Sequence, residues 1–273
     1  MKRPLLFTLI FLVLVALTAC GSSKAADELQ EIKIGATAGP YSDQIKDSIK
    51  GLLEKSGYKV EITEFNDYIQ PNKSLDEGDI NVNVFQNQLY LDTFNEEHGM
   101  DLVSILAVPT APIGLYSESL TDITELEENM KITLPNDPVN LARSLLMMEE
   151  FGWIKFDDEI DPIRASEKDI VENKYNLEIV PLEAAQLPRS LNDTDFAFVN
   201  GNFALSSGLK LEDAVELENT PDYYLNYVVV KKEDEDSELA KALKHAYESE
   251  EFLKYTDDKL AGFVKPEYQQ VEK

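Results

Sequence analysis

The apolar positions of this chain follow two spacings in turn, and the alternation predicts strands and helices. Residues 32–36 form a short apolar run of strand length, and residues 42–56 carry apolar side chains at helical spacing until Gly57. The same two patterns recur along the sequence. Further strands are predicted at 59–65, 79–85, 102–108, 114–117, 131–134, 177–182, 196–199 and 223–231. Further helices are predicted at 71–77, 86–98 and 138–151, after Pro188 and after Ser237.

The order of these elements predicts an α/β fold with mainly parallel sheets. One series of strands and helices runs from 32 to 85, and a second series of the same order runs from 131 to 199. Residues 157–176 interrupt the second series as an irregular insertion, and the strand at 223–231 comes late. We therefore expect two lobes joined by crossing strands.

The first thirty residues follow the pattern of a lipoprotein signal. Met1-Lys2-Arg3 precedes an apolar run that ends at Leu17-Thr18-Ala19-Cys20. Residues 1–19 are therefore predicted to be a signal peptide, Cys20 the lipidated first residue of the mature protein, and residues 20–30 its tether. The alternative is an N-terminal membrane anchor with an incidental cysteine, for which the run is short. Cys20 is the only cysteine, so no disulfide is expected.

The charge of the chain limits its partners. The formal net charge is −27 at pH 7. Such a protein repels nucleic acids and anionic membrane surfaces, so no nucleic-acid partner is expected. An anionic ligand would need a local basic group.

The predicted helix at 138–151 offers such a group. Asp137 is a plausible N-cap and Pro138 suits the first helical position. Asn140 and Arg143 are three residues apart and share a face near the N-terminus, where an arginine gains nothing from the helix dipole. This arrangement indicates a site for an anion such as a carboxylate. The alternative is a solvated surface arginine.

Other candidate binding residues follow from the rule that ligands lie beyond the carboxyl ends of parallel strands. The aromatic residues Tyr68, Phe85 and Tyr90 suit an apolar side chain, including a thioether, although core packing is an alternative for them. Asparagines suit both an ammonium and a carboxylate, although each is also common in caps and turns. The remaining candidates by this rule are Thr37, Asn87, Asn136, Glu183 and Asn200, and Asn226 lies near the expected cleft.

The sequence lacks the common motifs that would indicate an enzyme. The sequence contains neither common Gly-rich phosphate loop, no Gly-x-Ser-x-Gly motif and no Cys/His cluster. His98 and His245 each lie near a predicted helix C-terminus, where a histidine complements the dipole. We expect binding without catalysis, and neither a metal nor a cofactor.

Several segments of the chain, in order, resemble motifs of the MetQ/NlpA family, the substrate-binding lipoproteins of methionine ABC importers. These segments are IKIGATAGP, FNDYIQPN, VFQNQLYLDTFNEEHG, GLYS, LPNDPVNLARSLL, LEAAQLPRSL, FVNGNFAL and YLNYVVV. The resemblance implies a two-lobed periplasmic-binding-protein fold, with lobe one at 31–118 and 222–273 and lobe two at 119–221. It also implies a permease and its ATPase as partners, and a lipid anchor on the extracytoplasmic face of the cell membrane.

The resemblance also implies roles for the candidate residues. Arg143 would bind the carboxylate of an amino acid with help from Asn140. Asn200 and Asn226 would hold the polar head, and the three aromatic residues would surround the side chain.

The chain departs from the family pattern at two positions. The family commonly has Phe-x-His-Gln-Pro-Tyr where this chain has FQNQLY at 85–90, which places Asn87 at the histidine position. The family also often has methionine at the position of Ile113. The resemblance implies L-methionine as the ligand, and these two departures leave a methionine-containing dipeptide or another apolar amino acid as alternatives. A surface interaction lipoprotein is an alternative of another class.

Overall fold

The computed structural model describes residues 29–270. The expected signal peptide, the lipidation residue Cys20 and all but the last two residues of the expected tether lie outside the described residues. Residues 271–273 lie outside them as well.

The described chain alternates between strands and helices, as the sequence predicts. The strands are β1 (Gln30–Thr37), β2 (Tyr58–Phe65), β3 (Val82–Asn87), β4 (Leu102–Val108), β5 (Gly114–Tyr116), β6 (Lys131–Pro135), β7 (Ile154–Phe156), β8 (Ile170–Asn173), β9 (Glu178–Leu182), β10 (Phe196–Val199), β11 (Glu216–Leu217) and β12 (Asn226–Lys231). The α-helices are α1 (Pro40–Gln44), α2 (Lys50–Lys55), α3 (Gln70–Glu77), α4 (Gln88–His98), α5 (Pro138–Glu150), α6 (Leu187–Ser190), α7 (Gly201–Ser206), α8 (Glu238–Tyr247) and α9 (Glu250–Lys259).

Two five-stranded sheets form the framework. The first has the order β2-β1-β3-β12-β4, and the second has the order β11-β5-β10-β6-β9. Each sheet has its own apolar core, with Ile34 and Val84 fully buried in the first and Ile132 and Phe198 in the second. The α/β class and the arrangement around two sheets agree with the sequence prediction.

Both sheets are mixed, which corrects the expectation of mainly parallel sheets. Strands β1 and β3 run parallel, as do β10 and β6 and also β6 and β9. Strand β12 is antiparallel to both β3 and β4, and β5 is antiparallel to both β10 and β11. The antiparallel pairs arise where the chain returns from one sheet to the other.

The boundary expected at residue 118 is also corrected. Strand β5 was expected in lobe one, but it pairs with β10 and β11 of the second sheet. The chain therefore passes between the sheets at 109–113 and again at 218–225, which we call the first and second crossing segments. The two segments are bonded to each other, because the backbone N–H of Glu218 donates to the carbonyl of Ile113 at 2.9 Å.

Four elements differ in detail from their predictions. The helix predicted at 42–56 contains a π-helical turn at Ile45–Ile49 between α1 and α2. The insertion predicted as irregular at 157–176 contains β8, which pairs with β7. The late strand begins only at Asn226, after a 3-10 turn at Asp222–Tyr224, and a second C-terminal helix, α9, follows α8. The helix predicted after Ser237 is confirmed as α8, and the hydroxyl of Ser237 caps it by accepting from the backbone N–H of Ala240.

Candidate functional site

A cavity lies where the two sheets and the crossing segments meet. All eight binding residues predicted from the sequence line it: Tyr68, Phe85, Asn87, Tyr90, Asn140, Arg143, Asn200 and Asn226. The other lining residues are Tyr41, Gln86, Thr110, Ala111, Ile113, Gly201 and Asn202. The structure thus brings the predicted residues to one cavity, and their roles toward a ligand stay predictions.

One wall of the cavity is aromatic. The ring of Tyr68 stacks on Phe85 with centroids 5.8 Å apart, and it meets Tyr90 edge-on at 6.0 Å. The ring of Phe203, a residue not predicted from the sequence, lies 5.1 Å from that of Tyr68. The hydroxyl of Tyr90 donates to the backbone carbonyl of Tyr68 at 3.0 Å, which holds the Tyr90 ring against that segment. This wall suits an apolar side chain or a thioether.

The opposite wall begins at the N-terminus of α5, as predicted. Asp137 is the N-cap, and its carboxylate accepts from both the backbone N–H and the side-chain amide of Asn140, each at 3.0 Å. The side-chain oxygen of Asn140 in turn accepts from Nη1 of Arg143 at 3.0 Å. Burial raises the pKa of Asp137, and the bonds from Asn140 oppose that shift. Asn140 therefore connects the capping carboxylate to the arginine.

Arg143 is buried and paired, which excludes the alternative of a solvated surface arginine. Its Nε donates to Oε1 of Glu218 at 2.9 Å, and its Nη2 donates to Oε2 at 2.5 Å. The exposed fractions of the two side chains are 5% and 7%. The guanidinium carbon also lies 4.4 Å from the centre of the Tyr224 ring. A guanidinium has five N–H donors. Among residues 29–270, acceptors engage three of them, so two are left for a ligand.

The charges of this pair support each other. Burial by itself would lower the pKa of Arg143, but the adjacent Glu218 carboxylate gives a net rise. Burial would likewise raise the pKa of Glu218, but the charge and hydrogen bonds of Arg143, with bonds from Thr220 and the Ile113 backbone, give a net fall. Both groups are therefore charged near neutral pH.

The start of α7 supplies polar atoms without partners. Among the described residues, Oδ1 of Asn200 and Nδ2 of Asn202 are buried and have no hydrogen-bond partner. The other amide atom of Asn202, Oδ1, accepts from the hydroxyl of Tyr68 at 2.7 Å. Gly201 between them is required by space, since a Cβ there would lie 2.5 Å from Cβ of Ala111. A buried acceptor and a buried donor are thus free at the cavity.

Two other predicted asparagines have structural roles as well. Asn87 is the N-cap of α4, and its side-chain oxygen accepts from the backbone N–H of Tyr90 at 2.8 Å. Asn226 begins β12, and its backbone N–H donates to Oγ1 of Thr110 at 2.7 Å. Burial raises the pKa of the neighbouring Tyr41 to about 12, and the polar groups of Ala111 and Asn226 oppose that shift.

Three candidates from the strand-end rule lie outside this cavity. Thr37 is fully buried beside it but does not line it. The side-chain amide of Asn136 donates to Oε1 of Glu183 at 2.9 Å, and both residues line a neighbouring cavity, which shares Tyr68 and Tyr90 with the first.

Several residues at the site were not predicted from the sequence: Tyr41, Asn202, Phe203, Glu218 and Tyr224. Asn202 had a usable signal, because it lies two residues after Asn200 in the same motif. Glu218 had none, because it is 75 residues from Arg143 in sequence.

The described residues also limit other kinds of site. Within residues 29–270, no group of three or more His, Cys, Asp or Glu side chains is placed to hold a metal ion. None of the helices in the same range combines the length and the apolar character needed to cross a membrane. His98 lies at the end of α4 with its ring 4.2 Å from that of Phe94, and His245 lies in the last turn of α8.

Comparison with known proteins places these features in a family. The sequence profile described as NlpA lipoprotein matches residues 32–268. The D-methionine-binding lipoprotein MetQ of Salmonella typhi is 38% identical over 240 residues, which cover 87% of this chain and 88% of the relative. Outer membrane lipoprotein 3 of Mannheimia haemolytica is 34% identical over 247 residues, or 90% and 91% of the two chains.

Solved structures agree with this result. A nutrient binding protein from Burkholderia cenocepacia, solved bound to methionine, is 38% identical and superposes with a TM-score of 0.81. The alignment covers 86% of this chain and 99% of that one. The likeness confirms the predicted two-lobed binding-protein fold. By profile, by sequence identity and by structure, the chain belongs to the NlpA lipoprotein family.

Proposed function

We propose that the protein captures free methionine on the extracytoplasmic side of a membrane and delivers it to an ABC importer. The observation that carries this proposal is the combination, in one cavity, of a buried arginine, an aromatic wall and an unpartnered amide oxygen. The two remaining N–H groups of Arg143 suit a carboxylate, and Oδ1 of Asn200 suits an ammonium. The aromatic wall suits the thioether side chain.

The chemistry of the lining supports a ligand of this class. The lining residues combine aromatic rings, side-chain amides and one arginine, as in sites that hold a small molecule by apolar contacts and a few polar groups. The names and descriptions of relatives at 38% identity mention methionine, and one of them mentions the D form, so both enantiomers need testing.

The proposal extends to partners and location. The partners would be the permease and ATPase of an ABC importer, and a lipid on Cys20 would hold the protein at the outer face of the cell membrane. Lobe one would comprise 31–113 and 222–273 and lobe two 114–221, with the first boundary moved to the start of β5. The protein would bind and release its ligand without catalysis.

Native mass spectrometry and calorimetry test the proposal. The protein as purified should carry one bound methionine, and protein stripped of ligand by unfolding and refolding should bind methionine with one site. Arg143→Ala should bind much more weakly, whereas Arg164→Ala, which removes an exposed arginine of the same lobe, should bind as the parent does. A stripped parent that gives no heat with either enantiomer would overturn the methionine assignment.

A second candidate ligand is a methionine-containing dipeptide or a larger apolar amino acid. The neighbouring cavity favours it, because Tyr68 and Tyr90 line both spaces and a longer ligand can extend past them. A thermal-shift series with amino acids and methionine dipeptides separates the two candidates. Stronger stabilisation by a dipeptide than by methionine would favour the second.

A further inference from the structure

The arginine of the cavity is held by a carboxylate that does not itself line the cavity. Glu218 lies in the second crossing segment, and both of its oxygens accept from Arg143. Oε2 also accepts from the hydroxyl of Thr220 at 2.7 Å and from the backbone N–H of Ile113 at 3.4 Å. These bonds connect Glu218 to both crossing segments, so its position is fixed independently of any ligand.

The balance of charge around the cavity is unusual for a site that would bind a carboxylate. Among the described residues that line it, Arg143 is the only one with a charged side chain. Two carboxylates are connected to that arginine by hydrogen bonds. Glu218 bonds to it directly, and Asp137 is linked to it through Asn140. The positive charge is therefore already compensated before a ligand enters.

Displacement of Glu218 by the ligand is unfavourable. A displaced Glu218 would remain in a buried position without its cation, and an unpaired buried charge is strongly destabilising. A ligand carboxylate must then use the two N–H groups of Arg143 that are still free, with Glu218 in place. In the bound state Arg143, Glu218 and the ligand carboxylate would lie together. These three groups carry one positive and two negative charges, so their net charge is −1.

We propose, on the basis of the function proposed above, that Glu218 is a positioning residue through which Arg143 selects zwitterionic ligands over anionic ones. A zwitterion supplies its own ammonium to balance the excess charge, and Oδ1 of Asn200 is free to accept from it. An analogue with the same carboxylate and no ammonium leaves the excess charge buried. Glu218 thus makes the ammonium group a condition of tight binding.

Three probes of one shape and different charge test this selection. They are L-methionine, its anionic analogue 4-(methylthio)butanoate and its cationic analogue methioninol. For the parent, methionine should bind more tightly than either analogue. Glu218→Gln keeps the size of the side chain and removes its charge. In this variant the ratio of the dissociation constants of the anion and of methionine should fall at least tenfold, and methioninol should lose affinity relative to methionine.

A matched control separates the effect of the Glu218–Arg143 contact from the general effect of removing one negative charge from the same lobe. Glu212→Gln removes an exposed carboxylate of the same lobe that bonds to Lys210 and does not touch Arg143, so the ratio should not change. A merely structural role of Glu218 would weaken all three probes by the same factor, and an unchanged ratio in Glu218→Gln would overturn the inference. A parent that binds none of the probes would instead contradict the proposed function.

A second variant tests the proposal if Glu218→Gln does not fold. Glu218→Asp keeps the charge and shortens the side chain, so it should bind all probes more weakly than the parent and preserve the ratio. If Glu218→Asp instead lowers the ratio of the dissociation constants of the anion and of methionine as Glu218→Gln does, the geometry of the pair, and not its charge, determines the selection.

Discussion

The side-chain oxygen of Asn87 accepts a hydrogen bond from the backbone N–H of Tyr90 at 2.8 Å, and this bond caps helix α4. Asn87 is the position where the chain departs from the histidine common in its family. The residue therefore has a structural role at the helix start and lines the binding cavity at the same time.

Asn87→His should change both stability and ligand range. Histidine is not among the preferred N-cap residues, so we expect the free energy of unfolding to fall by about 1 kcal/mol. The larger ring should also narrow the range of ligands toward methionine. Urea unfolding and a thermal-shift series with amino acids and dipeptides measure the two effects. Asn87→Ser retains a capping hydroxyl and is the control for stability. Equal ligand ranges in parent and histidine variant would show that position 87 does not set the size of the cavity.

Arg143→Ala should destabilise the fold as well as abolish tight binding. Removing one partner of a buried ion pair costs about 3–5 kcal/mol, because the carboxylate of Glu218 is left without its cation. The double variant Arg143→Met with Glu218→Leu replaces the pair by apolar groups and should recover most of that stability without recovering binding. Denaturant unfolding with calorimetry measures both. A single variant as stable as the parent would show that Glu218 finds other partners.

Acid should weaken the fold in part through Glu218. The pKa of Glu218 in the folded protein lies below its ordinary value of 4.5. A carboxyl with a depressed folded pKa contributes stability that is present above the unfolded pKa and is lost as the pH falls through the folded pKa. The difference in free energy of unfolding between parent and Glu218→Gln should therefore be largest near neutral pH and shrink below about pH 4. The raised pKa of Asp137 acts with the opposite sign, but it is common to both proteins. A difference that is constant with pH would contradict this account.

Cys20→Ala should leave the protein without a lipid and release it from membranes. The described fold begins ten residues later at β1, so its stability should be unchanged. Partitioning into detergent compares the variant with the parent, and thermal unfolding of the soluble fraction is the control. Equal membrane retention of both proteins would point to another anchor.

The sequence predicted the part of the fold that depends on local spacing. Phe85 and Arg143 were correctly predicted to lie at the same site. The ends of β3 and β6 and the helices that follow them can be predicted from apolar periodicity and caps. The three-residue strand β5 was placed in the wrong sheet, since so short a segment carries no pattern that identifies its partners. The π-helical turn at Ile45–Ile49 keeps the apolar spacing of an α-helix closely enough to escape detection.

The site, like the fold, was predictable only where its residues lie in elements with a local sequence pattern. Side chains at strand ends and helix starts were found, whereas Glu218 was not, because it lies in a crossing segment with no periodicity. Its pairing with Arg143 exists only once the second sheet and both crossing segments are assembled. Residues that line the cavity were thus accessible from sequence, and the residue that holds one of them in place was not.

The bonding of Asn140 determines which way its amide is turned. Its N–H₂ group faces the carboxylate of Asp137 and its oxygen faces the guanidinium of Arg143. The reverse orientation would place donor against donor and acceptor against acceptor. The amide dipole is therefore aligned before any ligand arrives, and the wall around Arg143 is preorganised. Little of the binding energy is then needed to order these side chains, which leaves more of it to appear as affinity.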